Sequence, residues 1–148
     1  MKEFKTVLFA TDFSDCSQKA FEYANAICTA SGARLEIIHT IGEPVDLRGF
    51  YVPHVSFDVL SKEIEESAKK MMDDFCADNL SESDNYGTTV ISGVPHEEII
   101  SQAEKVDADV IVMGTHGRSG LDHVLFGSTT EKVIRKSTIP VLSVPNPK

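Results

Sequence analysis

Residues 110–130 read VIVMGTHGRSGLDHVLFGSTT. Val110-Ile111-Val112-Met113 is an unbroken apolar run, the pattern of a strand buried on both faces rather than one. The run stops at Gly114, a second glycine stands at Gly117, and Gly127-Ser128 opens a helix pattern carrying Val133 and Ile134. A strand covered on both sides needs helices above and below its sheet. The stretch therefore predicts a parallel sheet of α/β type.

The same alternation extends outward from it. Thr6-Val7-Leu8-Phe9-Ala10 is a short β-type run that ends in the polar cluster Thr11-Asp12-Phe13-Ser14-Asp15. Ala20, Tyr23, Ala24, Ile27 and Cys28 then recur at three- and four-residue steps, a helix that Ser14 or Asp15 caps and Gly32 stops. Leu35 to His39 read as the second strand, Thr88 to Ile91 as the third and Val141 to Val144 as the last. Leu60, Ile64, Ala68, Met71, Phe75 and Cys76 form the inner face of a long helix. Pro95 at a first-turn position, with Glu97 and Glu98 behind it, opens another. Residues 41–57, with Gly42, Pro44, Gly49 and Pro53 among apolar neighbours, break the pattern and read as a binding or contact loop. Strand and helix thus alternate four times before a closing strand. The expectation is one domain over residues 1–148, an open twisted sheet of five parallel strands, helices on both faces and right-handed crossovers.

Composition narrows the functions. The 148 residues carry 14 bases and 23 acids, a net charge of −9. Nucleic acid and anionic membranes both call for basic surface, so neither is an expected partner. Trp is absent and aromatics are 7%, which leaves little to stack on bases. Residues 58–84 hold nine acids against three bases, most of the whole excess, and read as a solvated helix face. Cys16, Cys28 and Cys76 are too few and too scattered for a disulfide framework or a CxxC zinc site, and read as small buried hydrophobes. No apolar run approaches the roughly 18 residues of a membrane span. Glu3 and a short apolar stretch make the N-terminus unlike a secretory signal. The expected compartment is the cytoplasm.

In an open parallel sheet, ligands bind beyond the carboxyl ends of the strands, near the switch point in strand order. The informative residues are then Thr11 to Ser14, Thr40 to Gly42, Ser92-Gly93, and Gly114 onward. Gly114 and Gly117 leave no Cβ between backbone amides and an anion. Gly127-Ser128-Thr129-Thr130 offers first-turn amides, hydroxyls and the positive end of a helix dipole. Residues 114–148 hold five bases against two acids, a local surplus of positive charge in an acidic chain. Two familiar fingerprints are absent: there is no GxxxxGK followed by Ser or Thr, and no GxGxxG after the first strand.

Gly114, Gly117, Gly127 and Ser128 meet the pattern G-x2-G-x9-G-S/T in full. With the opening KTVLFATDFSD, the segment GVPHEEII and the closing PVLSV, the chain resembles the universal stress protein family over nearly its whole length. The resemblance implies a small Rossmann-like α/β domain related to nucleotide-binding α-hydrolases, and ATP (or AMP or ADP) bound by a homodimer. It implies that Gly114, His116 and Gly117 line the triphosphate, with Gly127, Ser128 and Thr129 closing on it. Met113 lies under the nucleotide, the Thr40 backbone meets adenine, and Asp12 meets ribose or a phosphate-bound Mg or Mn ion. Valine is common in the family at the Thr40 position, and a backbone contact tolerates the change. The expected nucleotide-binding set is Ala10, Thr11, Asp12, Thr40, Met113, Gly114, His116, Gly117, Arg118, Gly127, Ser128, Thr129 and Thr130, with Asp12 the expected metal contact.

Other residues have blander readings. His39 is expected to be structural at a strand end, and His54, His96 and His123 to lie on the surface. Thr11 and Ser14 suit helix capping better than metal binding. Two enzyme classes fail on spacing. A cysteine phosphatase needs arginine six residues after its nucleophile, where Cys16 is followed by Glu22. A phospho-acceptor receiver domain needs an acidic pair, a further aspartate and a lysine at strand ends that carry Thr11-Asp12, Ser92-Gly93 and Val144-Pro145. Slow ATP hydrolysis, no hydrolysis, and a nucleotide-free dimeric interaction protein stay open. Ile139 to Val144 is apolar, unguarded by lysine or glutamate, and last in the chain. It is expected at a sheet edge, pairing with a second copy.

Overall fold

The computed structural model describes residues 1–42, 57–82, 84–116 and 126–146. The elements run β1 (Thr6–Ala10), α1 (Asp15–Ser31), β2 (Arg34–Gly42), α2 (Phe57–Asn79), β3 (Tyr86–Gly93), α3 (Pro95–Lys105), β4 (Val110–Gly114), α4 (Ser128–Lys136) and β5 (Val141–Val144). All strand pairs are parallel, in the order β3-β2-β1-β4-β5. This is the expected five-stranded α/β sheet. β1 and β4, the most apolar strands, sit at its centre. β5 is an edge strand, as its place at the end of the chain suggested.

Side chains of β1 alternate between two cores, as pleating requires. Val7 and Phe9 join Phe21, Ala24, Met72 and Phe75 under α1 and α2. Leu8 and Ala10 join Ile38, Ile99, Ile111, Met113 and Val133 under α3 and α4. Phe9, Phe21 and Phe75 pack together with ring centroids 5.1–6.0 Å apart, Phe9 stacked on Phe75 and Phe21 edge-on to Phe75.

Ser14 caps α1 by accepting the Ser17 N–H, and Gly32 ends it in the left-handed region at φ 75°. Several details depart from the sequence pattern. On α2 it is Met72, not Met71, that enters the core, and Ile64 is exposed. Tyr23 and Ile134 are exposed, Cys28 is half-buried, and His96 is buried rather than on the surface. Burial pushes the Cys28 thiol up to about 11 and raises the Cys76 thiol as well, so neither is primed as a nucleophile.

One carboxylate ties the chain's start to the sheet. Asp109 accepts the Lys5 and Thr6 N–H groups at 2.7 and 3.0 Å, and Lys2 Nζ lies 2.8 Å away. The hydrogen bond from Lys2, then the two backbone donors, hold its pKa at about 2, below the ordinary 3.8. A depressed carboxylate pKa stabilises the fold above the ordinary value, and that contribution is lost as pH falls through the folded value. Asp109→Ala is expected to cost about 1 kcal/mol near neutral pH, the net loss of two backbone hydrogen bonds whose donors water partly satisfies. In urea unfolding the gap between variant and wild type narrows as pH drops from 4 towards 2. A gap independent of pH would contradict this account.

Candidate functional site

From β1 the chain winds outward through β2 to β3, then crosses to β4 and β5 on the other side. Neighbouring connections therefore part on opposite faces above β1 and β4, which opens a crevice at their carboxyl ends. A cavity of about 200 Å³ lies there. β1 and the turn after it contribute Ala10, Thr11 and Asp12, β2 contributes Ile38 and Thr40, and the end of β4 and the residues after it contribute Met113, Gly114 and His116. Pro95 and Ile99 of α3 form one wall, and Gly127, Ser128, Thr129 and Thr130 at the start of α4 form another.

The turn after β1 is held by a relay of hydroxyls. The Phe13 N–H donates to Thr11 Oγ1 at 3.0 Å, and Ser17 Oγ donates to the Ser14 carbonyl at 3.0 Å. Thr11 Oγ1 and Ser17 Oγ are 2.9 Å apart. Since the Ser17 proton goes to a carbonyl, Thr11 must supply the one between them. Both protons are spent inside the turn, so these hydroxyls offer a ligand only lone pairs. Ser14 is the helix cap expected of it, whereas Thr11 braces the turn and does not cap α1.

Asp12 Oδ1 accepts the Ser14 N–H at 3.0 Å, which fixes its carboxylate at the cavity wall. Phe13 adopts φ 63°, a costly conformation for a bulky residue. Its ring packs on His39 at 4.6 Å, and His39 Nδ1 donates to the Thr11 carbonyl at 2.8 Å. His39 is thus structural, and what it positions is the turn bearing Asp12.

On the opposite wall, α4 begins at Gly127 with no side-chain cap. Its first intrahelical bond runs from the Glu131 N–H to the Gly127 carbonyl, so the amides of Ser128, Thr129 and Thr130 precede the ladder. The Thr130 hydroxyl is taken, donating to the Gly114 carbonyl at 2.8 Å. Ser128 is exposed and Thr129 half-buried, and both line the cavity. These amides and two hydroxyls form a donor cluster suited to an anion. Thr115 braces it: its carbonyl accepts the Gly127 N–H at 2.6 Å, and its hydroxyl is 2.8 Å from His116 Nδ1.

Gly114 carries a packing demand that the motif reading does not include. A Cβ there would lie 2.8 Å from Cys16 Sγ and 3.2 Å from the Cys16 backbone. The glycine lets β4 approach α1. Of the expected site residues, Ala10, Thr11, Asp12, Thr40, Met113, Gly114, His116, Gly127, Ser128, Thr129 and Thr130 all converge on one cavity. Gly117 and Arg118 lie outside the described residues, as do His54, His123 and most of the 41–57 loop. Sequence reasoning missed Ser17, Ile38, Pro95 and Ile99. The i, i+4 spacing of Pro95 and Ile99 put them on one face of α3, but only the tertiary fold brings that face against β2 and the cavity.

The model of the universal stress protein family matches residues 3–145. The chain belongs to the universal stress protein family. Universal stress protein MJ0577 of Methanocaldococcus jannaschii is 30% identical, over 95% of this chain and 94% of that one. A universal stress protein of Thermus aquaticus is 35% identical, over 95% and 98%. The solved structure of MJ0577 superposes with a TM-score of 0.85 at 31% identity, covering 99% of each chain. A universal stress protein solved in complex with cAMP matches with a TM-score of 0.61 at 28% identity, covering 97% of this chain and 98% of that one.

In this universal stress protein a second cavity, of about 550 Å³, flanks the first and shares Asp12 and Thr40 with it. Leu60, Ile64, Ala68 and Met71 of α2 line it, so Ile64 and Met71, which stay exposed, border this cavity. Among the described residues, no group of three or more His, Cys, Asp or Glu forms a metal cluster. Within the cavity lining, the Asp12 carboxylate is the kind of hard oxygen donor that a divalent cation takes. No helix among the described residues is long and apolar enough to cross a membrane.

Proposed function

We propose that this universal stress protein is a cytoplasmic, ATP-binding regulatory module of the stress response, with slow or no hydrolysis. One observation carries the reading. A single cavity joins an apolar wall of Ile38, Pro95, Ile99 and Met113 to the uncapped start of α4 with Ser128 and Thr129. A base needs the first and phosphates need the second. The relative solved with cAMP supports an adenine nucleotide. The free state of Cys16, Cys28 and Cys76 suits a reducing compartment. Gly114, His116 and Gly127 flank the phosphates, while Asp12 shares their cation or meets the ribose.

A carboxylate beside a triphosphate is repulsive unless a cation intervenes. Chelating Mg²⁺ is therefore expected to weaken ATP binding about tenfold or more, roughly one lost charge-assisted contact. Asp12→Ala blunts that dependence. Calorimetric titration that finds equal affinity with and without chelator removes the cation from the reading and leaves Asp12 to the ribose.

The working form is a homodimer paired along β5. Beyond β5 no further strand follows among the described residues, and its carbonyls and amides on that side are open to pairing. Antiparallel pairing of two copies gives the self-complementary contact of a two-fold axis. Val141→Lys sets like charges against each other there. Sedimentation is expected to turn from dimer to monomer, and a wild type already monomeric at high concentration refutes the pairing.

A further inference from the structure

The second cavity, of about 550 Å³, is the larger of the two, and the nucleotide reading does not use it. Its volume falls within the roughly 300–1,000 Å³ of small-molecule pockets. The two cavities lie on opposite faces of the sheet tip. Ile38 belongs to the core under α3 and α4, whereas Leu35 and Ile37 belong to the core under α1 and α2. Pleating continues the second series to His39 and Ile41, which line the second cavity together with residues of α2.

Much of its wall is apolar. Ile41 on β2 and Ile64 and Met71 on α2 all line it, and Ile64 and Met71 are each 37% exposed. Apolar side chains kept in water beside a cavity of this size offer surface that an apolar ligand would cover.

The polar groups of the lining are mostly acceptors. His39 spends its Nδ1 proton on the Thr11 carbonyl, so Nε2 of the neutral ring accepts. Asp12 and Glu63 bring carboxylates, and among the described residues no lysine or arginine lines the cavity. The helix beside it has the same sign, with nine acids against three bases over residues 58–84. Such a field repels an anion. A purely apolar ligand would strip water from the acceptors and give nothing back. A cation that carries its own donors satisfies both.

We propose that the second cavity is a binding site for an organic amine, an apolar body bearing a protonated nitrogen. The body lies against Ile41, Ile64 and Met71, and the ammonium lies towards Glu63, Asp12 and His39. The proposal stands independently of the nucleotide reading, which concerns the other face of the sheet.

The test uses three probes with one body and different heads: 4-phenylbutylamine, 4-phenylbutan-1-ol and 4-phenylbutanoate. Each is titrated into the protein by NMR, and thermal melting checks that every variant is folded. The amine is expected to bind at least about tenfold more tightly than the alcohol, and the carboxylate most weakly, the size of one charge-assisted contact. Glu63→Gln narrows the gap between amine and alcohol. Met71→Arg places a cation at an exposed position of the wall and weakens the amine about tenfold or more. Equal binding of amine and alcohol, or amine affinity unchanged in both folded variants, overturns the proposal. Failure of all three probes to bind the wild type, as when the chain itself fills the cavity, overturns it as well.

Discussion

Gly127→Val is expected to lower ATP affinity at least about 100-fold while the protein stays folded, the size of losing two charge-assisted hydrogen bonds. The backbone permits the change. Gly127 sits at φ −65°, ψ 161°, a region open to every residue, so valine adds no strain. Its N–H keeps the 2.6 Å bond to the Thr115 carbonyl. What changes is the space before the amides of Ser128 to Thr130, where the isopropyl group excludes phosphate oxygens. Calorimetric titration and thermal melting of the same sample read the two halves of the expectation. Unchanged affinity in a folded variant would remove the α4 terminus from the site.

Gly114→Ala carries the opposite signature. The added methyl would stand 2.8 Å from Cys16 Sγ and 3.2 Å from Cys16 C and O. Overpacking of this kind costs about 1–3 kcal/mol, paid as a shift of α1 away from β4. Cys16→Ala relieves the sulfur contact but not the backbone one, so the double variant is expected to recover part of the loss. Urea unfolding measures both. Wild-type stability in Gly114→Ala would mean that α1 yields freely. The two glycines are thus expected to differ: Gly127→Val tests the proposed ligand space, whereas Gly114 clears space for a helix.

Much of this was legible in the chain itself. Apolar runs, period-3.6 patterning and helix start signals are local, and they identified the strands and helices that the described residues form. The unbroken apolar run at Val110 to Met113 announced a strand buried on both faces, and therefore a parallel sheet. Caps are local too, which is why Ser14 and Gly32 fell where expected. Residues after strand ends named most of the cavity, since parallel sheets bind at those ends.

Other features depend on contacts between residues distant in the chain. Met71 and Met72 differ by about 100° around α2, and the phase that wins is set by the sheet beneath. His96 became buried, and Pro95 and Ile99 became a cavity wall, only once the fold laid α3 against β2. A serine or threonine in the sequence is equally a donor, an acceptor or a cap. Folding commits the protons of Thr11, Ser17 and Thr130 to neighbouring groups and leaves Thr40 without a partner. Local periodicity determines which elements form, because burial of one side is a one-dimensional property of the chain. Which hydroxyls remain for a ligand is a three-dimensional property, decided by what packs against each one.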